Sequence, residues 1–348
     1  MAATISRETN PLDFNRVFTD IFDMGSKLHG ILQGQNKIPM PDLSDKAIDH
    51  LVTKENKADP SKFYAVTDAV PSITLGKKQR LPFLDIIEGT FPSPVQTPYD
   101  ENNEVYIRHF KLRNKPAGGP TVIMINGWYV NTYAYFDWWC WRFAAWGMSS
   151  VLIDIPYHIR RVPHGSYDGQ LLIVPDTNWS LLSFMQTFQD VQALANWLKA
   201  QGVPLIGTFG VSFGGLLSGL YVCNAQNADF TVMGMPPMDT VDVLKRSGMA
   251  KDLEEKEAAG ETTMLTDPCV PALFNMSTMT PNVPLSNIFI AAGELDHLVT
   301  PESVRDAAER WGGLPWLKFY PTGHINTFAL NLKFIEDVRK FIRKEIRP

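Results

Sequence analysis

A serine stands between two glycines at Gly210-Val211-Ser212-Phe213-Gly214, behind an apolar run at 203–209 and ahead of Leu216-Leu217-Ser218-Gly219-Leu220-Tyr221-Val222, which reads as a helix. Strand, sharp turn and helix in that order lift a serine hydroxyl above a sheet edge, and the glycines leave room where a Cβ would meet the neighbouring strand or helix. Such a hydroxyl attacks a carbonyl only when a base takes its proton and a third group orients that base. Downstream, an apolar run at 288–292 leads into Gly293-Glu294-Leu295-Asp296-His297, which puts an acid in a turn after a buried strand. Asp296 is preferred because it lies well into that turn; Glu294 is the alternative. Farther on, Phe319-Tyr320-Pro321-Thr322-Gly323-His324 sets a histidine after a last strand, at the mouth of a terminal helix. Of the seven histidines, His158, His164 and His297 also fall in loops near this edge, but only His324 follows the acid at a strand–turn–helix boundary. It would take the serine proton and later deliver it to a leaving group.

A tetrahedral oxyanion needs two preset backbone N–H donors. One is expected at Phe213, directly after the serine. The other is expected from the turn Asn126-Gly127-Trp128-Tyr129, with the Trp128 N–H preferred and Gly127 the alternative. An aromatic run from Trp128 to Trp146 begins there. Most of it is expected to be helix and core, while Trp128, Tyr129 and Tyr133 are candidates for lining an apolar acyl or alcohol pocket. Arg160 and Arg161 follow a buried strand at the same edge. Their guanidinium groups suit a substrate carboxylate or phosphate, although a structural pair holding a long loop is the weightier reading.

The elements that position these groups alternate. Residues 85–91 and 104–112 read as two half-buried strands, and 121–125 as a fully buried one. Strands at 150–155, 230–234, 288–292 and 317–320 then alternate with helices at 181–199, 301–310 and 326–346. That is the pattern of a mostly parallel, doubly wound α/β sheet with helices on both faces. Residues 1–82 read as a helical extension, with helices at Leu12–Leu32 and Ser44–Val52, and its arm is a candidate for pairing two copies in a homodimer. Residues 83–348 form the main domain. Within it, the long segment at about 236–287 breaks the alternation, carries Met238, Met249, Met264, Met276 and Met279 and a charged helix at 251–259, and is the candidate cap. Insertions at the carboxyl ends of parallel strands sit where ligands bind.

With these motifs in order, residues from about Phe83 to Pro348 resemble the α/β-hydrolase superfamily of serine hydrolases, its esterase- and lipase-like members. The resemblance rests on Asn126-Gly127, on Gly210-x-Ser212-x-Gly214, on Gly293-Glu294-x-Asp296-x-x-x-x-Pro301 and on Gly323-His324. It implies catalysis by Ser212, Asp296 and His324. The family often has His-Gly where this chain has Asn126-Gly127, and no His-Gly-Gly-Gly run is present, which sets aside the hormone-sensitive-lipase-like branch. Gly89-Thr90-Phe91-Pro92-Ser93-Pro94 and Pro156-Tyr157-His158-x-Arg160-Arg161 are similar to a less characterised group of abhydrolase-domain proteins. A carboxylic ester cleaved through an acyl-enzyme is the leading expectation. Thioester or amide cleavage by the same groups, or a small-molecule receptor on the same fold, are the alternatives.

Bulk properties narrow the field further. The 348 residues carry a net charge of −5 with 20% charged residues, which gives no basic surface for a nucleic acid. The cysteines Cys140, Cys223 and Cys269 lie far apart, neither a disulfide framework nor a zinc site. Met1 to Asn10 is polar, without a signal-peptide pattern, and no apolar run is long enough to span a bilayer. A cytoplasmic protein acting on a small-molecule ester is expected. No phosphate loop, metal cluster or dinucleotide fingerprint appears, so neither cofactor nor metal is expected.

Overall fold

The computed structural model of the protein describes residues 48, 50–324 and 331–347. The helix expected at Leu12–Leu32 lies outside these residues, and so does the arm considered for dimer formation. Of the helix expected at Ser44–Val52, residues 50–52 form a turn instead. Thr53 opens a new short helix there, its side chain accepting from the Asn56 N–H; this is α1 (Lys54–Ala58), and α2 (Pro60–Phe63) follows.

Nine strands form one sheet in the order β1-β2-β3-β5-β4-β6-β7-β8-β9. They are β1 (Thr74–Arg80), β2 (Leu84–Pro92), β3 (Glu104–Leu112), β4 (Thr121–Ile125), β5 (Ser149–Ile153), β6 (Ile206–Val211), β7 (Phe230–Gly234), β8 (Ile288–Gly293) and β9 (Trp316–Tyr320). The pairings β1–β2, β2–β3 and β3–β5 are antiparallel and all the others are parallel. The five strands β4 to β8 are buried along their whole length, as short unbroken apolar runs covered on both faces must be. Their period of two still sorts the side chains. On β4, Ile123 and Ile125 join one core layer while Val122 and Met124 join the other.

The first layer packs against α4 (Thr177–Ala200), α5 (Phe213–Asn224) and α9 (Pro301–Arg310). The second packs against α3 (Ala134–Ala145) and α10 (Leu332–Phe341). There Trp139 is enclosed, with its ring 4.7 Å from Phe209 and 5.4 Å from Phe334. The expected aromatic helix is thus α3. The expected terminal helix starts within the described residues only at Leu332. Segment 236–287 holds α6 (Thr240–Arg246), α7 (Ala250–Ala258) and α8 (Val270–Phe274).

Two features have no counterpart in the sequence reading. Strand β1 is exposed at all seven positions, so no burial pattern marks it. Helix α4 is buried on its polar side as well. Gln189 and Gln192 donate to the Ala65 carbonyl (2.8 and 3.1 Å), and Asn196 donates to that of Thr67 (2.6 Å). Its amide side chains hold the segment before β1 rather than facing water.

His109 on β3 is buried, its ring 6.1 Å from that of Trp197 and its Nε2 without a partner among the described residues. Burial pushes its pKa from 6.5 down to about 3, with Lys111 adding to the effect. Below pH 6.5 the unfolded chain binds a proton that the folded chain refuses, so this stability is present above 6.5 and lost as pH falls. His109→Phe is therefore expected to remove about 3 kcal/mol of the stability loss between neutral pH and about pH 4, read by urea unfolding at both. An unchanged slope would show that His109 takes up its proton in the folded state.

Candidate active site

The sheet order reverses around β4, with β5 on one side and β6 on the other. The crevice above the carboxyl ends of such strands is where open α/β sheets bind ligands. Ser212 sits there, at φ 54° and ψ −119°, between the end of β6 and the first residue of α5. Its N–H donates to the Gly234 carbonyl at 2.7 Å, which ties the turn to β7. A Cβ on Gly210 would lie 2.0 Å from the Gly214 oxygen, and one on Gly214 would lie 2.4 Å from the Ile125 oxygen. Both glycines are demanded by space, since neither has a positive φ.

Two loops bring the other groups to this turn. Past β8 and β9 the pairing continues, with the Glu294 N–H donating to the Tyr320 carbonyl (2.8 Å) and the Leu295 N–H to that of Thr322 (3.1 Å). Asp296 and His324 are thereby held side by side. Asp296 Oδ1 accepts from the N–H groups of Leu298 and Val299, both at 2.9 Å, and Oδ2 lies 2.6 Å from His324 Nδ1. His324 Nε2 lies 2.8 Å from Ser212 Oγ. The carboxylate can only accept, so Nδ1 carries the proton and Nε2 presents its lone pair to the hydroxyl. An imidazole so held can take a proton from Oγ. Glu294, the alternative acid, is exposed, as are His164 and His297.

Gly127, Trp128, Ser212 and Phe213 line a cavity beside this chain. Phe213 opens a helix, where an N–H has no intrahelical acceptor and the helix dipole favours negative charge. The cavity holds about 890 Å³ of empty space, counting its open mouth. Its walls come from α3 (Tyr135, Phe136), from α4 (Phe184) and from segment 236–287 (Val243, Leu244, Met249, Met264). No charged side chain lines it among the described residues. Of the methionines in segment 236–287, Met249 and Met264 face the cavity while Met238 and Met276 are buried in the core.

Four expected binding residues are elsewhere. Arg161 is wholly buried, donating to Asp190 (2.7 Å) and to the carbonyls of Asp154 (2.9 Å) and Asn102. Burial pushes the Asp190 carboxyl up against the pull of Arg161. Arg160 bonds Asp154 (3.3 Å) and Glu88 (3.5 Å) and lies over the Tyr106 ring. The Tyr133 hydroxyl donates to Asp154 (2.8 Å). The Tyr129 ring stacks on Trp128, at 4.6 Å, outside the cavity lining. Each has partners within the fold, and none of the four lines the cavity. Asn126 and His158, which the sequence places in the turn and in a loop near this edge, take supporting roles that no local pattern showed. Asn126 is buried; its Oδ1 accepts from the Ile155 N–H (3.1 Å) and its Nδ2 donates to the Gly127 carbonyl (3.2 Å). His158 Nε2 accepts from the Tyr129 N–H at 3.1 Å.

The whole arrangement is similar to solved structures. Acetyl xylan esterase 1 from Thermoanaerobacterium sp. superposes with a TM-score of 0.60 at 17% identity, covering 91% of this chain and 98% of that one. An acetyl xylan esterase from Paenibacillus sp. gives 0.58 at 16% identity, covering 85% and 96%. The chain has the α/β-hydrolase fold.

Within this fold, residues 143–242 match the family described as alpha/beta hydrolase domain containing 18. That stretch holds Ser212 and His158, while Asp296, His324 and the Gly127 turn lie beyond it. An uncharacterized protein of Mycobacterium tuberculosis, found in two strains, is 28% identical over 209 residues, which are 58% of this chain and 48% of that protein. The match thus spans about half the length of these curated relatives. Among the described residues, no helix is long and apolar enough to cross a membrane, and no group of His, Cys, Asp and Glu side chains is placed to hold a metal ion.

Proposed function

We propose that this α/β-hydrolase is a serine hydrolase that cleaves a carboxylic ester through an acyl-enzyme. One observation carries the reading: the hydrogen-bonded chain from Ser212 Oγ through His324 to Asp296, opening on an apolar cavity. His324 Nε2 takes the Oγ proton as Oγ attacks the ester carbonyl. The Phe213 N–H, with that of Trp128 or alternatively Gly127, stabilises the oxyanion. The imidazolium then protonates the leaving alkoxide, the alcohol departs, and water activated by the same imidazole releases the acid. Both structurally similar proteins are named as esterases, which agrees with this reading. A cavity without charged side chains favours a neutral, apolar acyl or alcohol group. Cys140 and Cys223 are buried thiols and Cys269 is unpaired, as suits the reducing cytoplasm.

A fluorophosphonate is expected to add once to the intact protein, at Ser212, and a panel of ester, thioester and amide substrates is expected to favour esters. No adduct and no turnover anywhere on the panel would sink the reading. Faster cleavage of thioesters or amides would replace the substrate class while keeping the nucleophile.

A further inference from the structure

The turn expected to give the second oxyanion donor is gripped from the neighbouring loop. We propose that His158 is a positioning residue for that turn: through Nε2 it holds the Tyr129 N–H, and with it the peptide that follows Trp128, which fixes the far side of the turn so that the preceding Trp128 N–H faces the oxyanion. This rests on the reading of Ser212 as nucleophile.

The His158 ring is fully buried and bridges two loops. Its Nδ1 lies 2.8 Å from the Pro156 carbonyl, which can only accept, so Nδ1 carries the proton and Nε2 is free to accept from Tyr129. Burial, partly opposed by the Pro156 carbonyl and helped by Arg161, pushes the ring down to about 4. It stays neutral near pH 7. A protonated ring would set two donors face to face.

The backbone on both sides needs such a clamp. Tyr129 sits at φ 61°, and His158 is flanked by Tyr157 at φ 62° and Ile159 at φ 54°. Left-handed geometry is rare for such residues and persists only where the surroundings over-determine it. The Ile159 N–H donates to Asp168 at 2.6 Å, and Trp128 Nε1 donates to the Gly169 carbonyl at 2.8 Å. Gly169 has φ 76°, and a Cβ there would lie 2.8 Å from both His158 Nε2 and Trp128 Cδ1. Nothing larger fits between the clamp and the indole. Where the resemblance has histidine before the glycine, this chain has Asn126, which fixes the Gly127 carbonyl. His158 fixes the peptide that follows Trp128.

Two polar substitutions separate the acceptor from the fold. In His158→Gln the amide oxygen reaches the position of Nε2; in His158→Asn it stops short of Tyr129 while a polar group remains near Pro156. The readout is kcat per phosphonate-titrated site, together with KM and Tm. His158→Gln is expected to keep kcat within about threefold, and His158→Asn to lose about 10- to 100-fold with KM nearly unchanged, since a displaced oxyanion donor acts in the transition state. Wild-type kcat in His158→Asn, or equal losses in both variants, would overturn the proposal. If His158→Asn does not fold, Gly169→Ala replaces it; the same kcat loss per site supports the clamp and wild-type kcat overturns it. A wild-type protein that neither labels nor hydrolyses removes the Ser212 reading, and this inference with it.

Discussion

Ser212→Ala is expected to lower kcat on a short activated ester by about 10⁴-fold or more, with KM and Tm close to wild type. The substitution removes only Oγ, and the turn that carries it is held by backbone: the Ser212 N–H on Gly234 and the packing of Gly210 and Gly214. Alanine meets the same φ of 54° that serine already tolerates. The cavity walls are unchanged, so ground-state binding is kept and the loss appears in the chemical step. Steady-state kinetics, with fluorophosphonate labelling as the parallel readout, decides the matter. Activity within about tenfold of wild type would assign the chemistry to another residue.

Asp296→Asn is expected to cost about 10⁴-fold in kcat with little loss of stability. Asp296 Oδ1 takes two backbone N–H donors, at Leu298 and Val299. An asparagine keeps its carbonyl oxygen there and turns its NH₂ toward His324 Nδ1. Nδ1 must then accept, which moves the ring proton to Nε2, the atom 2.8 Å from Ser212 Oγ. The imidazole sits in place in the wrong tautomer and cannot take the serine proton. Kinetics combined with ¹⁵N spectra of the histidine ring tests this. A large loss with an unchanged tautomer would show that the charge of Asp296, rather than its orienting bond, is what matters.

What could be read from the chain follows physical range. Gly210 and Gly214 are forced by atoms within a few residues or on the adjacent strand, so the need for them is written into their spacing around Ser212. Asp296 and His324 lie at strand ends, and strands announce themselves as short apolar runs. The destinations of longer side chains are set by packing between distant segments. Arg161 after a buried strand looks the same whether it turns to a ligand or inward to Asp190 on α4. The polar residues of α4 look like a solvated face, although Gln189, Gln192 and Asn196 hold the segment at 65–69. The cavity walls are drawn from α3, α4 and the 236–287 segment, so no local pattern marks Tyr135, Phe184 or Leu244 as neighbours.

Among the described residues no strand pairs with the outer side of β1, which leaves a row of backbone groups that another strand could extend. Its pairing with β2 slips between Leu75 and Lys78, a bulge at Gly76-Lys77, and Lys77, Lys78 and Arg80 stud its outer half. A second copy docking there edge to edge would meet an irregular ladder and like charges. An irregular, charged edge strand of this kind is a poor template for pairing with a second copy.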